Sequence, residues 1–102
     1  MTEIVDEELS AAVVAYYSRG RRPYPKVDRE AARACATQRS PDELLALVEV
    51  IVAEAGRTVV DWSTSSLGDA GRLVSARAQE RHSGLSEHAA DTLGWASTYE
   101  NR

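Results

Sequence analysis

The stretch from Ser40 to Gly56, SPDELLALVEVIVAEAG, constrains the chain more than any other. Ser40 can cap a helix with its hydroxyl, Pro41 suits the first helical position, and Glu43 stands at the third, the spacing of a capping box. Beyond it Leu44, Leu45, Leu47, Val48, Ile51 and Val52 occupy most of the circumference. Asp42, Glu43, Glu49 and Glu54 leave only a narrow polar strip. A helix over about 41–55, stopped by Gly56 and this apolar, is expected to sit centrally, covered by others on several sides.

Those others are legible at helical spacing. A first helix is predicted from about Glu3 to Ser18, burying Val5, Leu9, Ala12, Val13 and Tyr16, with Gly20 past its end. Asp28 caps a short second helix to about Gln38, whose Ala31, Ala34 and Cys35 form a small-residue face. After an irregular 57–61, a fourth helix is expected over about Thr64–His82, with Leu67, Ala70, Gly71, Val74 and Ala78 inward. Trp62 and Leu67 have staple spacing if Ser63 is the cap, and Ser66 with Asp69 offers a competing box. Ser86 caps a fifth helix to about Tyr99, with Leu85, Ala89, Leu93 and Ala96 inward. Sixteen alanines, no phenylalanine and no alternating β-branched runs argue against strands. The expected fold class is all-α: a single compact bundle of about five helices around the 41–55 helix, with residues 1–102 as one domain.

Several function classes are excluded by this pattern. Cys35 is the lone cysteine, so neither a disulfide framework nor a cysteine zinc site is available. It is expected mid-helix, as a small hydrophobe with a raised pKa. His82 and His88 lack the i, i+4 spacing of a metal pair, and no metal or cofactor is expected. The Ser63–Ser66 cluster suits helix caps better than nucleophilic chemistry, and no nucleophile elbow, P-loop or dinucleotide fingerprint occurs. The protein is therefore expected not to be an enzyme. The acidic N-terminus, absence of a membrane-length apolar run and free thiol suggest a cytoplasmic protein.

Charge is unevenly distributed. The net charge is −4, yet residues 19–39 carry +5 between segments 1–18 and 40–56 at −4 each. Arg21, Arg22 and Lys26 surround Tyr24 in a proline-containing connector. Such a mixture can hold phosphates and stack a base, or it can be a connector balancing acidic neighbours. A helix-turn-helix is excluded because the would-be recognition helices open with Pro41-Asp42-Glu43 or carry Glu87 and Asp91. On the fifth helix His88, Thr92, Trp95 and Tyr99 share a stripe that either widens the core or anchors a partner. Ala11 and Val14 hint at a homodimer. The expected function is binding of another protein, of a regulatory, adaptor or toxin-neutralising type, through Arg21, Arg22, Tyr24, Lys26, Trp95 and Tyr99. Nucleic-acid or phosphorylated-ligand binding by the 19–39 segment is the alternative.

Overall fold

The computed structural model describes residues 5–57 and 67–100, with the side chains of Leu67, Gly68 and Glu100 left aside. Five helices follow in order: α1 (Glu7–Tyr16), α2 (Arg29–Ala34), α3 (Pro41–Gly56), α4 (Leu67–Arg81) and α5 (Glu87–Glu100). The all-α bundle is as expected. No helix among the described residues is long and apolar enough to cross a membrane. The predicted start of α4 near Thr64 and the Trp62, Ser63 and Ser66 signals lie outside the described residues.

Three caps act as predicted, because each needs only a side chain and an N–H three residues on. Asp28 Oδ1 accepts from Ala31 N at 3.0 Å, Ser40 Oγ from Glu43 N at 3.1 Å, and Ser86 Oγ from Ala89 N at 3.0 Å. Boundaries differ elsewhere. The α1 helix begins at Glu7 because Asp6 turns extended and its carboxylate accepts from Leu9 N at 3.0 Å. Val5 therefore precedes the helix and is 43% exposed, not part of the buried stripe. At the other end the chain leaves the helix through Ser18, at φ +59°, before reaching Gly20.

The α2 helix stops four residues short of the expected Gln38. The reason is a carboxylate from another helix. Glu8 Oε2 accepts from the backbone N–H groups of Thr37, Gln38 and Arg39 at 2.5, 2.6 and 3.1 Å. Those groups turn toward Glu8 instead of extending the α-helix. The Arg39 guanidinium completes the arrangement, donating to Glu8 Oε1 at 2.6 Å and to Asp6 Oδ2 at 2.7 Å. This donor set pulls the Glu8 pKa down to about 2. Ala32 is the buried residue of α2, while Ala34 faces out and Cys35 is a half-buried C-cap instead of a mid-helix residue. Burial pushes the Cys35 thiol up.

The α3 helix packs against each of the other four helices, as expected of the 41–55 segment, but one of its sides stays open. Leu44, Val48 and Ile51 are buried on one side, but Leu47 is 38% and Val50 53% exposed on the other. The core gathers where α1 meets α5 and the α2–α3 layer, around Val13, Tyr16, Leu44, Val48, Leu85 and Leu93. Gly56 ends α3 as its last helical residue, with Arg57 as the C-cap.

The α4 and α5 helices form the most extensive pair in the bundle, and their closeness has a simple cause. Gly71 and Gly94 face one another, and a Cβ built on Gly94 would strike the Gly71 carbonyl. The α4–α5 turn is tied back to α1: Asp6 N donates to Gly84 O at 2.7 Å, and Ser86 N donates to Ser10 Oγ at 2.9 Å.

Two outcomes are expected. Gly94→Ala forces the α4 and α5 backbones apart and should lower unfolding stability by about 3 kcal/mol in a urea titration, the upper range of overpacking costs. Glu8 is more acidic when folded, so its stabilising effect is full above its ordinary value near 4.5 and fades as pH falls toward about 2. The thermal midpoint of Glu8→Gln should therefore lie below wild type at pH 7 and converge with it toward pH 2. Parallel melting curves for the two proteins at every pH would contradict the role given to Glu8.

Candidate interaction surface

The connector from Tyr17 to Asp28 is a backbone-tethered loop. Arg21 and Arg22 donate their N–H groups to Ser18 O, each at 3.1 Å. Lys26 N reaches Tyr17 O at 3.1 Å, Asp28 N reaches Tyr16 O at 2.7 Å, and Ser18 Oγ donates to Lys26 O at 2.8 Å. These closures hold Ser18 in a left-handed conformation that a side chain ordinarily resists, at a cost of about 1–2 kcal/mol. The two prolines disfavour helix in the residues before them, so the chain crosses the gap extended.

Inside this loop the cations divide into two kinds. Arg21 is a structural clasp: its guanidinium donates to Ala15 O at 3.0 Å near the α1 C-terminus, and approaches Ser18 Oγ at 3.3 Å and Asp28 Oδ2 at 3.4 Å. Lysine and arginine near a helix C-terminus satisfy carbonyls that have no intrahelical donor. Together with the Ala31 N–H, the larger influence, Arg21 holds the Asp28 carboxyl below its ordinary value. Arg22 and Lys26 are exposed and make no ion pair among the described residues, and Tyr24 beside them is 46% exposed.

The remaining cations of 19–39 point back into the protein. Arg29 pairs with Glu49 at 3.1 Å, Arg33 with Asp42 and Glu30, and Arg39 with Asp6 and Glu8. The +5 segment is thus the counter-charge of its acidic neighbours on α1 and α3. Arg19 lies 5.5 Å above the centre of the Trp95 ring and donates to Thr92 Oγ1 at 3.1 Å.

That contact begins the junction with α5. Trp95 and Tyr99, both half-buried, stack edge to face with ring centres 5.6 Å apart. The Tyr99 hydroxyl donates to Pro23 O at 3.0 Å, across 76 positions of sequence. The structure therefore joins the connector, at Pro23, to the Trp95–Tyr99 edge, where the sequence showed two separate features. The stripe itself is split: Thr92 is fully buried, bonded to His88 O, whereas His88 is exposed. Trp95 both packs against the core and reaches the surface.

The other chemistry-bearing residues have structural engagements. His82 Nε2 lies 2.6 Å from Glu54 Oε2, joining the ends of α3 and α4 and lowering the Glu54 pKa. Among the described residues no group of three His, Cys, Asp or Glu side chains is arranged to hold a metal. Comparison with known proteins returned no matching family model, no matching curated relative and no matching solved structure.

Removing the Tyr99 hydroxyl tests the junction. Tyr99→Phe should cost no more than about 1 kcal/mol, the scale of one net hydrogen bond. It should also quicken tryptic cleavage after Arg21, because the loop loses its tie to α5. Unchanged cleavage would mean that Tyr99 does not hold the loop.

Proposed function

We propose that the protein works by binding another protein, as a regulatory, adaptor or toxin-neutralising partner and not as an enzyme. One observation carries this reading. The Tyr99–Pro23 hydrogen bond joins the loop that carries the exposed Arg22, Tyr24 and Lys26 to the Trp95–Tyr99 edge, which supports a single contact surface made of both. Arginine, tyrosine and tryptophan are the residue types enriched at interface hot spots. A loop already tethered by backbone hydrogen bonds also loses little freedom on docking. The fitting partner carries carboxylates around a pocket deep enough for the Tyr24 ring. Arg21, which the sequence groups with the contact residues, supports the face from behind by clasping α1. The proposed compartment is the cytoplasm, where a free thiol such as Cys35 stays reduced.

Binding of nucleic acid or a phosphorylated ligand through 19–39 has less support. Arg29, Arg33 and Arg39 are engaged with carboxylates of the protein itself, and the cations left over are few for a phosphate backbone.

The test uses immobilised protein and extract of its own source cells, with Arg22→Glu/Lys26→Glu and Tyr24→Ala as comparison baits. These side chains lie in water, so folding is not at stake. A protein recovered by wild type should be lost or reduced on both variants. In titrations with that purified partner, each variant should weaken affinity at least tenfold. Equal recovery on all three baits, or a salt-sensitive shift of nucleic acid that the double variant abolishes, would overturn the proposal.

A further inference from the structure

The outer side of α3 is unusual for a helix that faces water. Ala46, Leu47, Val50 and Ala53 are all exposed along it, and Leu47 and Val50 are among the few large apolar side chains in the molecule left so open. The polar residues of the helix do not break this strip. Asp42 is engaged by Arg33, Glu49 by Arg29 and Glu54 by His82, each within the same chain. Glu43 is the one remaining carboxylate of α3. It stands at the N-terminal end of the strip, with Arg57 at the C-terminal end, and neither has an ion-pair partner among the described residues.

The spacing of these residues is self-complementary. Glu43 and Arg57 each lie seven residues from Val50, and Leu47 and Ala53 each lie three residues from it. Seven residues are close to two helical turns, so Glu43, Val50 and Arg57 follow nearly one line along the helix. We infer that this face seats a second copy of the chain, with the two α3 helices antiparallel about a twofold axis at Val50. In that register Val50 meets Val50 of the second copy, each Leu47 meets the other copy's Ala53, and each Glu43 meets the other copy's Arg57. A twofold interface requires one patch to complement itself, and opposite charges equidistant from an apolar centre do so only in the antiparallel sense. A parallel pair would place Glu43 on Glu43 and Arg57 on Arg57. Antiparallel packing also opposes the two helix dipoles. Alternation of Leu47 with Ala53 across the axis lets large and small side chains interlock.

The size of the contact sets its strength. Sixteen residues make a helix about 24 Å long. A strip one helix wide covers several hundred Å² on each copy, below the roughly 800 Å² per partner of a standard interface. The dimer is therefore weak and reversible. This inference does not rest on the loop and Trp95–Tyr99 face, which involves other residues.

Sedimentation velocity on the full chain, from about 1 µM to 1 mM, tests it. Wild type should pass from monomer to dimer across that range. Val50→Glu, which places two carboxylates at the axis, should raise the dissociation constant at least tenfold while the helical circular dichroism is unchanged. Glu43→Arg and Arg57→Glu should each weaken the dimer severalfold, and the two together should restore it to within about twofold of wild type. A wild-type chain monomeric at 1 mM would overturn the inference, as would a dimer indifferent to Val50→Glu or a charge exchange that fails to restore it. Recovery of a partner through Tyr24 should be the same for Val50→Glu as for wild type, so failure of either proposal is recognised separately.

Discussion

The first turn of α1 is the junction of the whole structure. Asp6 caps the helix, accepts from Arg39 and gives its N–H to Gly84 O. Glu8 gathers three backbone N–H groups and the Arg39 guanidinium from the α2–α3 connector. Ser10 accepts from Ser86 N at the start of α5. Three residues at alternate positions thus tie one helix to both the α2–α3 layer and the α4–α5 hairpin. Charge-assisted hydrogen bonds to backbone N–H groups are stronger than neutral ones, and here they fasten the α2–α3 connector, while neutral bonds hold the α4–α5 turn. No described buried side-chain N or O atom lacks a hydrogen-bond partner.

From that junction follows the fate of the basic segment. Its arginines lie opposite carboxylates of α1 and α3 because the α2–α3 connector is drawn down onto Glu8. Exposed ion pairs contribute little stability, about 0–1 kcal/mol each. Their larger effect is on the surface field: a stretch that is strongly positive in sequence presents only a small positive face in three dimensions. Arg22, Tyr24 and Lys26 stay exposed in a loop that Arg21 fastens to α1 and Tyr99 fastens to α5.

What could be read from residues alone follows the range of each interaction. Asp28, Ser40 and Ser86 were legible as caps because donor and acceptor lie three positions apart. The early end of α2 was not, since its cause, Glu8, lies about thirty positions away. Gly71 could be placed on the inward side of α4, but Gly94 as the opposing residue carries no local signal. The union of the Pro23 loop with Tyr99 likewise spans most of the chain. The α3 helix is the instructive case: apolar residues all round predicted cover on several sides, and the other four helices do pack against it, yet its outer strip is exposed. Hydrophobicity states that a surface favours leaving water, not which surface will cover it.

The sequence by itself determined the five helices of the described residues and the caps at Asp28, Ser40 and Ser86, because periodicity and capping act within a turn or two of backbone. Only the tertiary structure decided which side of α3 is covered, which cations are spent within the molecule and that the Pro23 loop meets Tyr99. Those depend on distances between residues far apart in the chain, and such distances are set by packing the helices against one another.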